Sequence, residues 1–384
     1  MDTNPVERRQ LSPAPPAPLM VPDYAGACLS TLLPALQMGP GHRPSWLPTP
    51  LAGAAQVALL VVDGLGWQQL RERAGRVPLL ASLPGRPITS VAPSTTAVAL
   101  ASLTLGRPPA EHGIVGYKFA VDGPSGREVL NVLRWSTSSG DARPFLPPDQ
   151  LQPLTAFGGR PVPVVTRADF MGTGFSLAHQ RGGREVGWVV PSSLPALVGH
   201  LLRQGEPLVY AYYDGLDKVA HATGLGELYD AELLAVERMV SDLLATLPAG
   251  AALVVTADHG QVEVGASAAP LAPEVVRATT MTSGEARFRW AHSLPGQQSA
   301  LLALLRRTYG GQAWVATREE VVSAGVLGGA LPAEVGARLG DVALVPLGDQ
   351  AFIDPRDAGD ARLVCRHGGL SPAELEVPLL VGTA

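Results

Sequence analysis

The chain has 384 residues, 46% of them hydrophobic and 16% charged, with a formal net charge of −5 and an isoelectric point of about 5.9. This balance excludes a disordered chain and a dedicated nucleic-acid binder with a basic face, so no stable nucleic-acid complex is expected. The two cysteines, Cys28 and Cys365, exclude a disulfide framework or a CxxC site, and no charge-free apolar run approaches the twenty residues of a membrane span. Lysine occurs only at Lys118 and Lys218. With Ala, Gly and Pro so abundant, that bias reads as a GC-rich coding sequence and carries no function.

The length predicts one large α/β domain with an insertion, or two domains. Residues 1–20 are Pro-rich, with an early Arg pair and no apolar stretch behind it. They are expected to form a loosely ordered tail without a secretory signal, on a cytoplasmic protein. Next comes Gln56–Val62, QVALLVV, which runs into Asp63-Gly64-Leu65-Gly66. Short apolar runs recur at 163–166, at 207–213 before Asp214, and at Ala251–Thr256 just before Asp258. Such runs read as strands buried on both faces of a parallel sheet. Between them, 227–247 repeats its apolar positions every three or four residues and predicts a helix. The rhythm breaks over 265–362, which reads as an inserted cap with a strand at 286–290 and a helix at 299–308. The last run, 376–381, returns to the sheet. Strand and helix alternate without an internal repeat, giving an α/β fold with a mostly parallel central sheet flanked by helices.

In such sheets ligands collect at the carboxyl ends of the strands, where three of these runs meet an aspartate. Asp63 precedes glycines that let the chain turn away and leave the carboxylate exposed. Asp217 and His221 are four apart, one face of a helical turn, and can chelate one ion. Asp258 and His259 follow a strand, and Gly260 after them permits irregular backbone. His367 sits in CRHGGL. Thr96, in VAPSTTAVALASLTLG, falls where Ser and Thr mark a helix N-terminus, a place that also suits a phosphoryl oxygen. Taken singly, each has a plain structural explanation: a helix cap for an Asp, a hydrogen-bonded ring for a His. Their joint occurrence points to bound divalent metal, zinc being the best match for Asp and His, with manganese or iron also admitted.

The order strand-Asp, Pro-x-x-Thr, Asp-x-x-x-His, Asp-His-Gly and a C-terminal His-Gly resembles the alkaline phosphatase superfamily. More narrowly, PSTTAVALASLTLGRPPAEHGIVG is similar to the nucleophile helix of the nucleotide pyrophosphatase/phosphodiesterase group. The resemblance spans Asp63 to the C-terminus and implies an alkaline-phosphatase-like catalytic domain over 21–384. It implies one metal on Asp217, His221 and His367, and a second on Asp63, Asp258 and His259 with the Thr96 oxygen. It implies a threonine phosphoenzyme and hydrolysis of a small phosphoester or nucleotide with net retention at phosphorus. A phosphomonoesterase and a phosphoglycerate-type mutase share the scaffold. The Cys/Ser-x-Pro-x-Arg pattern of sulfatases is absent.

Two positions depart from the group. Tyr117, after Gly116, stands where an asparagine donates to a phosphoryl oxygen, so its hydroxyl and Lys118 become the expected substrate contacts. Ala97-Val98-Ala99-Leu100 replaces a Phe-Pro-Asn-His stretch, removing an aromatic wall. Arg287 and Arg289 alternate along the inserted strand and are expected as a phosphate clamp. His42, His112, His179, His200 and His292 fall outside the motifs and are expected to be structural, and Asp214 to be a turn residue or an acceptor behind the ligands.

Overall fold

The computed structural model describes residues 15–357 and 362–383. Its centre is a seven-stranded sheet. In chain order the strands are β1 (Gln56–Val62), β2 (Gly85–Thr89), β3 (Pro163–Arg167), β4 (Arg184–Trp188), β5 (Leu208–Tyr213), β6 (Ala251–Thr256) and β7 (Glu376–Thr383). They lie in the order β2-β7-β6-β1-β5-β3-β4. The five strands from β6 to β4 are parallel, and β7 runs antiparallel to both β6 and β2. Every residue of β5 and β6 is buried, as continuous apolar runs require when both faces are covered.

Four helices matter for the site: α1 (Thr96–Leu105), α2 (Gly174–His179), α3 (Gly215–Thr223) and α4 (Glu227–Thr246). α4 buries Tyr229, Leu233, Val236, Val240 and Leu243, the three-and-four spacing read from its sequence. α1 is buried along its whole length, so its composition is apolar all round rather than striped.

The inserted segment folds a second sheet of its own, ordered Thr279–Glu285, Phe288–Ser293, Val342–Pro346, Ala313–Thr317 and wholly antiparallel. Helix Gln298–Tyr309 packs on it through Leu301 and Leu305, against Val315, Leu344 and Phe352. A further antiparallel meander, Lys118–Gly123 to Gly140–Asp141, follows α1 in the chain and has no counterpart in the sequence reading. Of the tail expected over 1–20, residues 1–14 lie outside the described residues. Leu19 is buried and the Met20 N–H donates to the Leu370 carbonyl, so packed structure is present by that point. Among the described residues no helix is long and apolar enough to cross a membrane.

The register explains why the acids converge. Val62 pairs with Tyr213 on β5, and Val61 pairs with Thr256 on β6. The three strands therefore end at one level, and Asp63, Asp214 and Asp258 emerge together on the carboxyl edge.

Candidate active site

At the end of β1 the chain must reverse beneath α3. Gly64 does so with φ +76°, and a Cβ there would lie 2.7 Å from the Gln261 amide and 3.1 Å from Asp217 Cβ. Gly260 is required for a different reason from the one its sequence suggests. Its φ is ordinary, but a Cβ would meet the Ala373 carbonyl at 2.0 Å, so close packing rather than backbone freedom fixes the glycine.

Asp63 and Asp258 are each anchored through one oxygen. The Tyr212 hydroxyl donates to Asp63 Oδ2, and the Gly64 and His259 N–H groups donate to Asp258 Oδ1 at 3.1 and 3.0 Å. The other oxygens, Asp63 Oδ1 and Asp258 Oδ2, are buried without a hydrogen-bond partner among the described residues. Each lies 3.3 Å from His259 Nε2. His259 Nδ1 is 3.1 Å from the Gly260 carbonyl, which can only accept, so Nδ1 carries the proton and Nε2 presents a lone pair. Thr96 Oγ1, at the first turn of α1, is 3.1 Å from that Nε2.

A second set forms beside it. Asp217 and His221 share one face of α3 with Oδ1 and Nε2 3.4 Å apart. His367 enters from the strand Cys365–Arg366, its Nε2 3.3 Å from His221 Nε2 and 3.8 Å from Asp217 Oδ1. His221 Nδ1 faces the Cys365 carbonyl at 2.7 Å and His367 Nδ1 the Ser94 carbonyl at 3.0 Å. Both Nδ1 atoms are therefore protonated, and the facing Nε2 atoms have no proton to share. His259 also lies within 4.8 Å of Asp217 and His367. Its Nε2 is committed to Asp63 and Asp258, however, while His221 closes the second set at shorter distances.

Electrostatics agree. Burial, then the neighbouring charges of Asp258 and Asp217, push the Asp63 carboxyl well above the usual range, and burial raises Asp258 as well. Burial and the rings of His259 and His221 push His367 well below its usual value. Orphaned carboxylate oxygens beside converging lone pairs are what a divalent cation satisfies. Bonds of about 2.1 Å in a tetrahedral shell place ligand atoms about 3.4 Å apart, against 3.3 to 3.8 Å among these atoms. The residues therefore fit two metal sites, with Thr96 beside the first.

Two cavities open from Thr96. One, of about 470 Å³, is the more polar of the two and is lined by Tyr117, Lys118, Asn131, Arg134 and His367 among others. Tyr117 and Lys118 thus reach the site: the Tyr117 hydroxyl accepts from Asn131 at 2.7 Å, and the Lys118 ammonium pairs with Asp357 at 2.5 Å. The other, of about 210 Å³, is walled by Leu100, Leu133, Phe170, Phe175 and Tyr212. The aromatic wall missing from α1 is supplied by residues 170–175 and β5 instead.

The arginine clamp is corrected by the structure. Arg287 is fully buried, forked onto Glu374 at 2.6 and 2.8 Å and bound to the carbonyls of Gly348 and Gln350. Arg289 is buried and donates to the Phe352 carbonyl. Neither lines either cavity at Thr96. Arg287 sits in the turn before the strand that carries Arg289 and pairs with Glu374 outside the inserted segment, so the ion pair serves packing between the two. Asp214 stands at the N-cap position of α3 without a side-chain capping bond, pairs with Lys218 and Arg167, and lines the smaller cavity. His112 accepts from the Ile114 N–H and donates to Ser102, a structural role. The sequence reading missed Tyr212 and Gln261, whose amide holds Asp217 Oδ1 at 2.5 Å. A tyrosine hydroxyl at the end of a fully buried strand was the available signal, because it must find a partner.

Comparison with curated protein sequences gives no match. Among solved structures, the fold is similar to murine ectonucleotide pyrophosphatase/phosphodiesterase 5 at 14% identity and TM-score 0.65, over 86% of this chain and 88% of that one. The human counterpart gives 15% identity and TM-score 0.60, over 85% and 88%. Phosphonoacetate hydrolase from Sinorhizobium meliloti 1021 gives 20% identity and TM-score 0.57, over 89% and 92%. The model of type I phosphodiesterase/nucleotide pyrophosphatase matches residues 57–306, more than half of the chain and a span that holds Thr96 and five of the six convergent Asp and His residues. The chain therefore belongs to the type I phosphodiesterase/nucleotide pyrophosphatase family, within the alkaline phosphatase superfamily.

Proposed function

We propose that this phosphoric ester hydrolase cleaves small phosphodiesters, nucleotides among them, in two displacements through a phosphorylated Thr96. The observation that supports this most directly is the pair of neighbouring three-residue sets of candidate ligands, the first of which meets the Thr96 hydroxyl at His259 Nε2. Divalent ions bound there would supply the positive charge that favours the ionised threonine oxygen and offsets charge on the phosphoryl and departing oxygens.

The chain's own groups do the rest. Tyr212 and the Gly64 N–H hold Asp63 and Asp258 in place, and three backbone carbonyls fix the tautomers of His259, His221 and His367. Thr96 Oγ1 attacks phosphorus at the helix N-terminus, where backbone N–H groups favour the phosphoryl oxygens. The first ester oxygen departs as the alkoxide and is protonated. Water then attacks the phosphothreonine, regenerating the hydroxyl and releasing a monoester. Two in-line displacements give net retention. Tyr117 and Lys118 border the more polar cavity beside Thr96, which supports a role for them in contacting the substrate. The nucleotide assignment draws support from the murine relative, for which an inactive form is described in complex with AMP.

The test is metal analysis and turnover of 4-nitrophenyl thymidine 5′-phosphate by the purified protein and by Thr96→Ala. Two ions per chain and loss of turnover in the variant are expected. Undiminished turnover in Thr96→Ala would reject the nucleophile, and clear preference for 4-nitrophenyl phosphate would replace the diesterase with a monoesterase.

A further inference from the structure

Each member of the second set of candidate ligands is tied to the short segment that carries two members of the first. Asp258 and His259 lead directly into Gly260, Gln261 and the strand Val262–Glu263. That strand pairs antiparallel with Cys365–Arg366, which presents His367, and the Cys365 carbonyl fixes His221 Nδ1 at 2.7 Å. The Glu263 carboxylate accepts from the Leu225 N–H, just past the end of α3. Asp217, the remaining member, is reached by Gln261 itself.

Gln261 is 1% exposed, and its side-chain amide lies 2.5 Å from Asp217 Oδ1. An ionised carboxylate oxygen only accepts, so the amide presents Nε2 to it. The backbone behind this donor is held on two sides. The Gly260 N–H donates to the Glu374 carbonyl at 2.9 Å, and the Gln261 carbonyl accepts from Gln69 Nε2 at 2.8 Å. Gly64, the residue after Asp63, leaves the space for the amide, since a Cβ there would lie 2.7 Å from Nε2. The oxygen so held is the one that faces the two rings, 3.4 Å from His221 Nε2 and 3.8 Å from His367 Nε2. Among the described residues no other hydrogen-bond donor than this amide reaches the Asp217 carboxylate from outside the ligand set. Gln261 lines neither cavity at Thr96, so it has no route to the substrate except through Asp217.

We infer that Gln261 is a positioning residue for the second ion site: its amide fixes the Asp217 carboxylate toward His221 and His367 from the same backbone that carries Asp258 and His259. The amide takes one lone pair of Oδ1 and leaves the other for an ion held with the two rings. Without the donor the carboxylate turns freely about its own bond, and the second set loses its order while the first keeps its anchors from Tyr212 and the Gly64 and His259 N–H groups. This rests on the two-ion reading above, and the experiment separates the two.

Metal-depleted protein is titrated with zinc in a calorimeter at about pH 8, where carboxylates are ionised, and circular dichroism checks the folding of each variant. The unsubstituted protein should bind two ions per chain. Gln261→Met, close to glutamine in length and lacking the donor, should weaken one binding event by about 10–100-fold and leave the other unchanged. In His221→Ala, which retains only the first set intact, adding Gln261→Met should change the remaining event no further. Turnover of Gln261→Met should then depend on free zinc at concentrations that saturate the unsubstituted protein. A glutamine that merely packs would lower stability or weaken both events alike, and either equal weakening or none overturns the inference. Should Gln261→Met not fold, Gln261→Glu decides, because it keeps the size and sets an acceptor against Asp217. The same selective loss supports the inference, and retained or raised affinity overturns it. Fewer than two ions in the unsubstituted protein would remove the two-ion reading and this inference with it, whereas two ions without a selective loss would remove the inference alone.

Discussion

Replacing Asp258 by asparagine should raise the stability of the metal-free protein while lowering its response to metal. In the chelated state Asp63 Oδ1 and Asp258 Oδ2 are buried and, among the described residues, without a hydrogen-bond partner, and each carboxyl is held above its usual pKa by burial. The asparagine Oδ1 keeps both N–H donors, from Gly64 and His259. Its amide N–H₂ takes the place of Oδ2 and turns a repulsive neighbour of Asp63 into a donor. Relieving one unmatched buried acceptor is worth about 1–3 kcal/mol. For 384 residues the unfolding entropy is about 0.8 kcal/mol/K, so the melting temperature in EDTA should rise by about 1–4 °C. Metal at a thousandfold excess over Kd stabilises one site by about 4 kcal/mol, or about 5 °C, and two sites by about 10 °C. Asp258→Asn should retain about half of that rise. Scanning calorimetry in EDTA and in excess zinc reads both quantities. A chelated variant that melts below the chelated wild type, or one that keeps the full metal response, refutes the assignment of the orphaned oxygens as ligand atoms.

Tyr212→Phe removes the hydroxyl that orients Asp63 and should weaken metal binding by about 10–100-fold. Competition with a chromophoric chelator measures this, and unchanged affinity would make the tyrosine a packing residue only. Stability should also fall with acid through His112, whose pKa is lowered to about 3 by burial and by the charge of Arg338. The unfolded ring titrates at about 6.5 and binds its proton first, so the stabilisation is complete above that pH and is lost progressively as pH falls toward the folded value. Between pH 6.5 and 5 the loss is about 2 kcal/mol. Urea titrations of the EDTA-treated protein and of His112→Gln should diverge in slope by that amount, since the carboxylates are common to both. Parallel pH profiles would show that His112 titrates as freely as in the unfolded chain.

The parts of the fold that were legible are those in which covalent order and burial say the same thing. β1 and β6 occupy the boundaries their apolar runs suggested, because a strand covered on both faces has nothing but apolar positions to show. β7 was also visible as a run, but its antiparallel direction was not, since an apolar run reads alike in either sense. β2, GRPIT, lies at the sheet edge with one fully buried residue and offered no run at all. The Arg287 and Arg289 reading shows the opposite failure. The strand expected at 286–290 begins only at Phe288, because Ala286 and Arg287 form the tight turn that joins it to Thr279–Glu285, so the two arginines do not alternate along one strand. The partner that fixes Arg287 there, Glu374, lies 87 residues downstream.

The two halves of the site differ in the same way. Candidate metal ligands stand out because an ion would restrict residue type and the sheet restricts position, so Asp63, Asp258, His259, Asp217, His221 and His367 could be picked out by their order and its resemblance to a known superfamily, and the structure brings them together in two clusters. The walls of the cavities are restricted only by shape, and their residues come from segments far apart in the chain: Leu100, Leu133, Phe175 and Tyr212 on one side, Tyr117, Asn131 and Arg134 on the other. The two lysines, unremarkable in the sequence, divide between these cavities, Lys118 in the polar one and Lys218 in the apolar one. Each is compensated by an aspartate, Asp357 and Asp214 respectively. A phosphomonoester presents one organic group to the nucleophile, and a diester presents two. Two cavities of unlike character that share Thr96, Leu133 and Asp217 match a phosphorus bearing two unlike substituents. This supports the diester over the monoester independently of the Tyr117 position, where the sequence pattern departs from its relatives.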